Sequence, residues 1–151
     1  MPDRPPHPRV LDFDELAQHT VMGVLGIETV EATPDRVTLR VPVTAKVHQP
    51  SGLLHGGVSA LLAETAASYG GALSAPEGHG VVGIELNASH LRAMREGTLT
   101  AVATPIRRGR TIQVWDISLN DDAGRDICRA RCTLAVVLAP DSGPSADTNE
   151  S

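Results

Sequence analysis

Aromatic side chains are almost missing from this sequence: Phe13, Tyr69 and Trp115 are the three among 151 residues. A surface that stacks successive bases needs several, so a single-stranded nucleic acid platform is excluded. Lysine occurs once, at Lys46, and the formal charge is −5. That balance argues against neutralising a long phosphate backbone. No apolar run approaches the ~18 residues of a membrane span. The segment MPDRPPHPRV has no apolar stretch of the kind that directs export, so a cytoplasmic protein is expected. Six histidines and two cysteines form no H-E-x-x-H and no cluster at zinc-ligand spacing. Neither a metal nor a cofactor is expected. Cys128 and Cys132 lie four apart. On one strand they share a face roughly 13 Å apart at ~3.3 Å per residue. A disulfide needs Cα atoms within about 7 Å. The pair therefore reads as two buried, reduced thiols.

The length suits one domain with a single core. Its charge is uneven. Residues 92–131 hold eight arginines against five acids, a local +3, and the remainder carries −8. Arginine presents a rigid fork of donors that matches phosphate and carboxylate. A small phosphorylated ligand is therefore compatible with an acidic chain; the alternative is a solvated strand face.

Residues 1–10 are proline-rich and residues 140–151, PDSGPSADTNES, carry no large apolar side chain, so both are expected to lack regular structure. The single domain is expected over 11–139. A short helix is predicted near Asp12, with Glu15 completing a capping box, Leu11 and Leu16 a staple, and Gly23 and Gly26 ending it. Val37, Leu39, Val41 and Val43 alternate with polar residues as in a half-buried strand. The run Val58 to Leu73, VSALLAETAASYGGAL, is alanine-rich and apolar all round, which assigns it to the middle of the fold as a helix of about 24 Å. Strand patterns follow over 81–92, 98–107, 111–120 and 126–138, with a turn at Asp121-Asp122-Ala123-Gly124. One buried helix followed by consecutive strands implies α+β, an antiparallel sheet wrapped over a central helix.

Glu64 is the only charge in that helix, and no lysine or arginine lies three or four residues away. A carboxylate expected to be buried there is a candidate nucleophile or general base. The alternative is an ion pair with a distant arginine or with a second subunit. His55-Gly56-Gly57 stands just before the helix. N–H groups at a helix N-terminus lack intrahelical acceptors and carry partial positive charge. Glycines there let a substrate carbonyl approach, which is one way to build an oxyanion hole from backbone alone. Seven residues, ~10 Å along the axis, separate Gly57 from Glu64, a long reach within one subunit. Other motifs carry less. Gly78-His79-Gly80-Val81-Val82-Gly83 matches G-x-G-x-x-G but precedes a strand rather than a helix. Asn87-Ala88-Ser89 matches a glycosylation acceptor without a secretory context. Ser59 lacks the G-x-S-x-G elbow.

The run Gln49-Pro50-Ser51-Gly52-Leu53-Leu54-His55-Gly56-Gly57 followed by Glu64 resembles the signature of hotdog-fold acyl-CoA thioesterases. The branch is the one that includes the phenylacetate-degradation, 4-hydroxybenzoyl-CoA, 1,4-dihydroxy-2-naphthoyl-CoA and enterobactin-associated proofreading enzymes. Asn87-Ala88-Ser89-His90-Leu91-Arg92, Arg95-Glu96-Gly97, Gly109-Arg110, Gln113-Val114-Trp115 and Gly124-Arg125 with Cys128 and Arg131 are similar to the same branch. The resemblance covers roughly residues 20–138. It implies a hotdog fold, an antiparallel sheet around one long helix, in a homodimer whose active sites lie at the subunit interface and which assembles as a homotetramer. It implies hydrolysis of an acyl-CoA, with an aryl or other bulky acyl group, and acyl-carrier protein as the other conceivable carrier; neither nucleic acid nor membrane is a partner. Gln49, His55 and Gly56 come from one protomer and Glu64 from its neighbour. The Gly56 N–H polarises the carbonyl, Gln49 and His55 orient the thioester, and Glu64 acts as nucleophile or general base. Ser68 holds the water or the acyl group, His90 lies near the acyl pocket, Gly57 is a further substrate-binding residue, and Arg92, Arg108, Arg110 and Thr111 are the candidates for the CoA phosphates and pantetheine. The hydratase branch of the same fold uses an Asp/His motif that the sequence lacks. A non-catalytic acyl-CoA sensor would keep the pocket without the carboxylate. A purely structural domain would need neither feature.

Overall fold

A computed structural model describes residues 10–139, with side chains from Phe13 onward except Leu16. The expectations for residues 1–9 and 140–151, and for the Asp12 cap and the Leu11–Leu16 staple, fall outside what is described. The chain opens with α1 (Val10–Ala17) and α2 (Val21–Leu25). Two strands follow, β1 (Glu28–Ala32) and β2 (Val37–Pro42). A 3-10 turn at Ala45–Val47 leads toward α3 (Gly56–Ser74). Four long strands complete it: β3 (His79–His90), β4 (Thr98–Arg108), β5 (Ile112–Asn120) and β6 (Asp126–Leu138).

The strands form one six-stranded sheet in the order β1-β2-β4-β5-β6-β3, antiparallel throughout. The alternation read from the sequence sets its inner face. Val37, Leu39 and Val41 of β2, Leu99, Ala101 and Ala103 of β4, Trp115, Ile117 and Leu119 of β5, and Cys128, Cys132 and Leu134 of β6 are buried together. Helix α3 lies across this face and packs against β2, β3, β4, β5 and β6. Its small residues have a steric reason. A Cβ at Gly70 would overlap the Trp115 ring, and one at Gly71 would overlap Leu134 Cδ1. Anything larger would lift the helix off the sheet and open voids beneath it.

The Asp121–Gly124 turn closes the β5–β6 hairpin as expected. Asp121 Oδ1 accepts from the Ala123 N–H at 3.0 Å and the Arg125 N–H at 2.9 Å, and Gly124 takes φ +76°. The N-terminal region departs from expectation. Helix α1 ends at Ala17, and Gly23 lies inside α2, where a Cβ would overlap the Gln18 carbonyl. Gly23 is thus a close-approach glycine, and Gly26, left-handed at φ +74°, is the one that ends α2. β1 was not anticipated. Its ETVEA sequence has no clean alternation, and its register with β2 is interrupted between Thr29 and Glu31.

The helix also departs from expectation. Leu62, Ala63, Ala66, Ala67, Gly70 and Gly71 are buried against the sheet, but Glu64 is exposed, and Leu61, Thr65 and Ser68 are only half-buried. The stripe that carries the charge is uncovered in a single chain.

Candidate active site

The loop before α3 is fixed by backbone bonds. Gln49 N donates to Leu53 O at 2.7 Å, Leu54 N to Met94 O at 2.7 Å and His55 N to Val47 O at 2.9 Å. His48 Nε2 meets Arg95 O at 2.8 Å. Gly52 makes the tight turn at φ +76°. The Gln49 side-chain oxygen accepts from the Ser51 N–H. His55 is the N-cap of α3: its backbone is extended, and its Nδ1 accepts from the Gly57 N–H at 2.8 Å. That bond leaves Nε2 as the protonated nitrogen of the neutral ring. One orphan donor of the helix end is thereby satisfied. The Gly56 N–H, one residue earlier, has no protein acceptor among the described residues.

Beside this N-terminus lies a cleft of about 390 Å³ lined by Gln49, Leu53, Leu54, Gly56, Ser59, His90, Leu91, Arg92, Ala93 and Ile127. It forms where the end of β3 meets the start of β6, since His90 pairs with Cys128 and Leu91 N donates to Ile127 O at 2.8 Å. The His90 imidazole packs on Gly56, where an added Cβ would stand 2.8 Å from its Nε2. Of the residues singled out in the sequence, four meet here: Gln49, Gly56, His90 and Arg92. His55 stands next to them as the cap. Gly57 does not line the cleft, and its N–H is taken by His55.

Glu64 is elsewhere. Eight residues past Gly56, about 12 Å along the axis, its carboxylate lies against Gly83 of the edge strand β3. The expected burial of Glu64 does not hold in one chain: it is exposed, because α3 meets the sheet through its opposite side. Ser68 is half-buried one turn further along the helix. Arg110 and Thr111 stand in the β4–β5 turn, both exposed. The register puts that turn at the Glu64 end. Gly83 and Gln113 both pair with Leu134, and Val136 N donates to Thr111 O at 2.9 Å. Arg108 is engaged otherwise, donating to Pro34 O at 3.0 Å and to Asp35 Oδ1 at 2.8 Å in the β1–β2 turn. One chain therefore carries two separate groups. Gln49, His55, Gly56, His90 and Arg92 form one, and Glu64, Ser68, Arg110 and Thr111 form the other.

Residues 51–128 match the thioesterase superfamily. A 1,4-dihydroxy-2-naphthoyl-CoA hydrolase from Listeria monocytogenes is 46% identical over 112 residues, covering 74% of this chain and 91% of the relative. The chain belongs to the thioesterase superfamily. The proofreading thioesterase EntH of Cronobacter turicensis is 43% identical over 118 residues, covering 78% of this chain and 86% of that one. The fold agrees. A thioesterase from Haemophilus influenzae superposes with a TM-score of 0.81 at 42% identity, covering 86% of this chain and 91% of that one. A Pseudomonas aeruginosa thioesterase superposes with a TM-score of 0.84 at 39% identity, covering 89% and 98%. The sheet-and-helix architecture described above is the hotdog fold, and the enzyme is a thioester hydrolase.

Both cysteines are free and buried. Burial, reinforced by the Glu64 and Glu85 carboxylates, pushes the Cys132 thiol up to about 11, which makes it a poor nucleophile. Among the described residues no group of three His, Cys, Asp or Glu could hold a metal ion. No described helix is long and apolar enough to cross a membrane. The cleft also contains residues that the sequence did not mark as site candidates: Leu53, Leu54, Leu91, Ala93 and Ile127, and Ser59, which was weighed only as a nucleophile and set aside. Ser59 had a usable signal, since it stands three residues after Gly56, one turn along the same helix.

Proposed function

We propose that this thioesterase hydrolyses an acyl-CoA to the free acid and CoA, in an active site made by two chains. The observation that carries the reading is the helix N-terminus at the cleft: the Gly56 N–H is unpaired and stands among Gln49, His55 and His90. A thioester carbonyl oxygen received there gains a donor aligned with the positive end of the α3 dipole, where charge develops as the carbonyl is attacked. His55, with Nδ1 engaged by Gly57, offers Nε2–H to the thioester or to the departing sulfur. Gln49 orients the same group. Glu64 supplies the carboxylate, either attacking to form a mixed anhydride or taking the proton of the attacking water.

That carboxylate comes from the partner. β3 is an edge strand of twelve residues, with Val82 48% and Ile84 57% exposed. Such an edge calls for cover. Pairing two copies edge to edge about a two-fold axis brings the Gly83 end of one β3 toward the His90 end of the other. Glu64 and Ser68 of one chain then face the cleft of its partner, and the exposed stripe of α3 gains a neighbour. Arg110 and Thr111 arrive with them, and together with the cleft's own Arg92 they provide donors for the CoA phosphates and pantetheine. The apolar lining from Leu53, Leu54, Leu91 and Ile127 suits a bulky, aryl-type acyl group, as in the substrate named for the Listeria relative. The homotetramer is two such dimers.

The test is thiol release from a panel of aroyl-, short- and long-chain acyl-CoAs and acyl-carrier proteins. The expected result is turnover by the wild type, fastest with aroyl-CoA, and loss of roughly 10²–10⁴-fold in Glu64→Gln. Tight acyl-CoA binding without any turnover would favour a sensor instead.

A further inference from the structure

We infer that Ser59 is a second hydrogen-bond donor to the thioester carbonyl, completing with the Gly56 N–H an oxyanion site. The inference rests on the acyl-CoA thioesterase reading above. Ser59 is the fourth residue of α3 and is 1% exposed, yet it lines the cleft beside Gly56 and His90. Its hydroxyl has no hydrogen-bond partner among the described residues. Two other hydroxyls of the same helix do: Thr65 Oγ1 donates to Leu61 O at 2.7 Å and Ser74 Oγ to Gly70 O at 2.8 Å, each one turn back. For Ser59 the corresponding acceptor would be His55 O, and no such bond is formed; that carbonyl accepts the Val58 N–H at 2.9 Å.

An unpartnered hydroxyl in a buried residue is costly unless something outside the chain completes it. Among the described residues no fully sealed side-chain oxygen or nitrogen lacks a partner. The Ser59 oxygen is therefore not completely sealed, and the space its residue borders is the cleft. Side chains on a helix lean toward its N-terminus, so Ser59 leans back toward the Gly56 N–H. An oxyanion needs more than one donor to be well held. Backbone alone does not supply the second here, because the Gly57 N–H is spent on His55 Nδ1. The Ser59 hydroxyl is a further donor lining the cleft at this helix end, beside the Gln49 amide that orients the thioester, and it takes no covalent part in the reaction.

The experiment compares wild type with Ser59→Ala, Ser59→Thr and Ser59→Cys, using an aroyl-CoA and detection of released thiol. Alanine removes only an oxygen that no protein group holds, so the melting temperature and the KM stay within error of wild type. The kcat falls about a hundredfold, and threonine restores part of it. A second readout is the carbonyl stretch of aroyl-CoA bound to Glu64→Gln. It is shifted to lower frequency relative to free substrate, and the shift shrinks when Ser59→Ala is added. A merely structural role would move the melting temperature and leave the carbonyl band alone. Wild-type kcat in Ser59→Ala, or an unchanged carbonyl band, overturns the inference. If the wild type itself releases no thiol from any acyl-CoA, the parent reading has failed instead, and the two failures are separate.

Discussion

Gly83→Ala is the substitution that separates the position of Glu64 from the stability of the fold. A Cβ at residue 83 runs into Glu64 Oε1 and stands 3.1 Å from the carboxylate carbon. Contacts below about 3 Å do not persist, so the carboxylate must withdraw by roughly 1 Å, and a misplacement of that size at a reacting group costs on the order of 10²-fold in rate. The energetic cost of withdrawal is small, because the obstructing atom is the far end of a flexible side chain. Stability should change by no more than about 0.5 kcal/mol. Gly70→Ala is the control with the opposite outcome. There the Cβ meets the ring of Trp115, which is 0% exposed and has nowhere to go. Overpacking costs about 1–3 kcal/mol, and alanine returns about 1 kcal/mol in helix propensity. The net loss of up to ~2 kcal/mol lowers the melting temperature by about 4–8 °C. The assay is thermal unfolding together with kcat for thiol release. A Gly83→Ala enzyme with wild-type kcat would refute the reasoning that the carboxylate's place beside β3 matters to the chemistry.

Two further outcomes follow from the arginines and from the β5–β6 turn. Arg92→Ala is expected to raise KM for acyl-CoA about tenfold without changing KM for the acyl-pantetheine fragment, whereas Arg108→Ala, whose guanidinium serves Asp35 and Pro34, leaves both unchanged; steady-state kinetics on the two substrates check this. The N–H groups of Arg125 and Ala123 and the Arg125 guanidinium hold the Asp121 carboxyl below its ordinary value of 3.8. A lowered folded value means that Asp121 contributes stability above about pH 4, and that this contribution is lost as pH falls through the lower folded value. The melting-temperature deficit of Asp121→Ala should therefore be largest near neutral pH and shrink below pH 4; a deficit that grows on acidification contradicts the assignment.

Most of the fold was legible because its signals are local and strong. The period-two patterns of β2, β4, β5 and β6, the turn at Asp121–Gly124 and the alanine-rich helix fall close to where the residues put them. β1 was missed because an irregular edge strand hides its alternation. The site was legible in its residue types but not in its arrangement. Gln49, Gly56, His90 and Arg92 come together through loop anchors and strand register that no spacing rule encodes. Glu64 was expected to be buried because its neighbours are apolar. The helix instead turns its glycines and alanines to the sheet and its charge to the open edge. Arg108 looked like a phosphate ligand by charge alone, and only the structure shows its partner, Asp35.

The central claim is that each active site draws Gly56 and His55 from one chain and Glu64 from another. Mixing subunits tests it most directly. His55→Ala and Glu64→Gln enzymes are prepared separately, each with little or no turnover of aroyl-CoA, then unfolded and refolded together. Random pairing about a two-fold axis gives mixed dimers in half the population, each with one intact site, so about a quarter of wild-type activity per chain should return. No recovery in mixtures shown to contain mixed dimers would contradict the shared site.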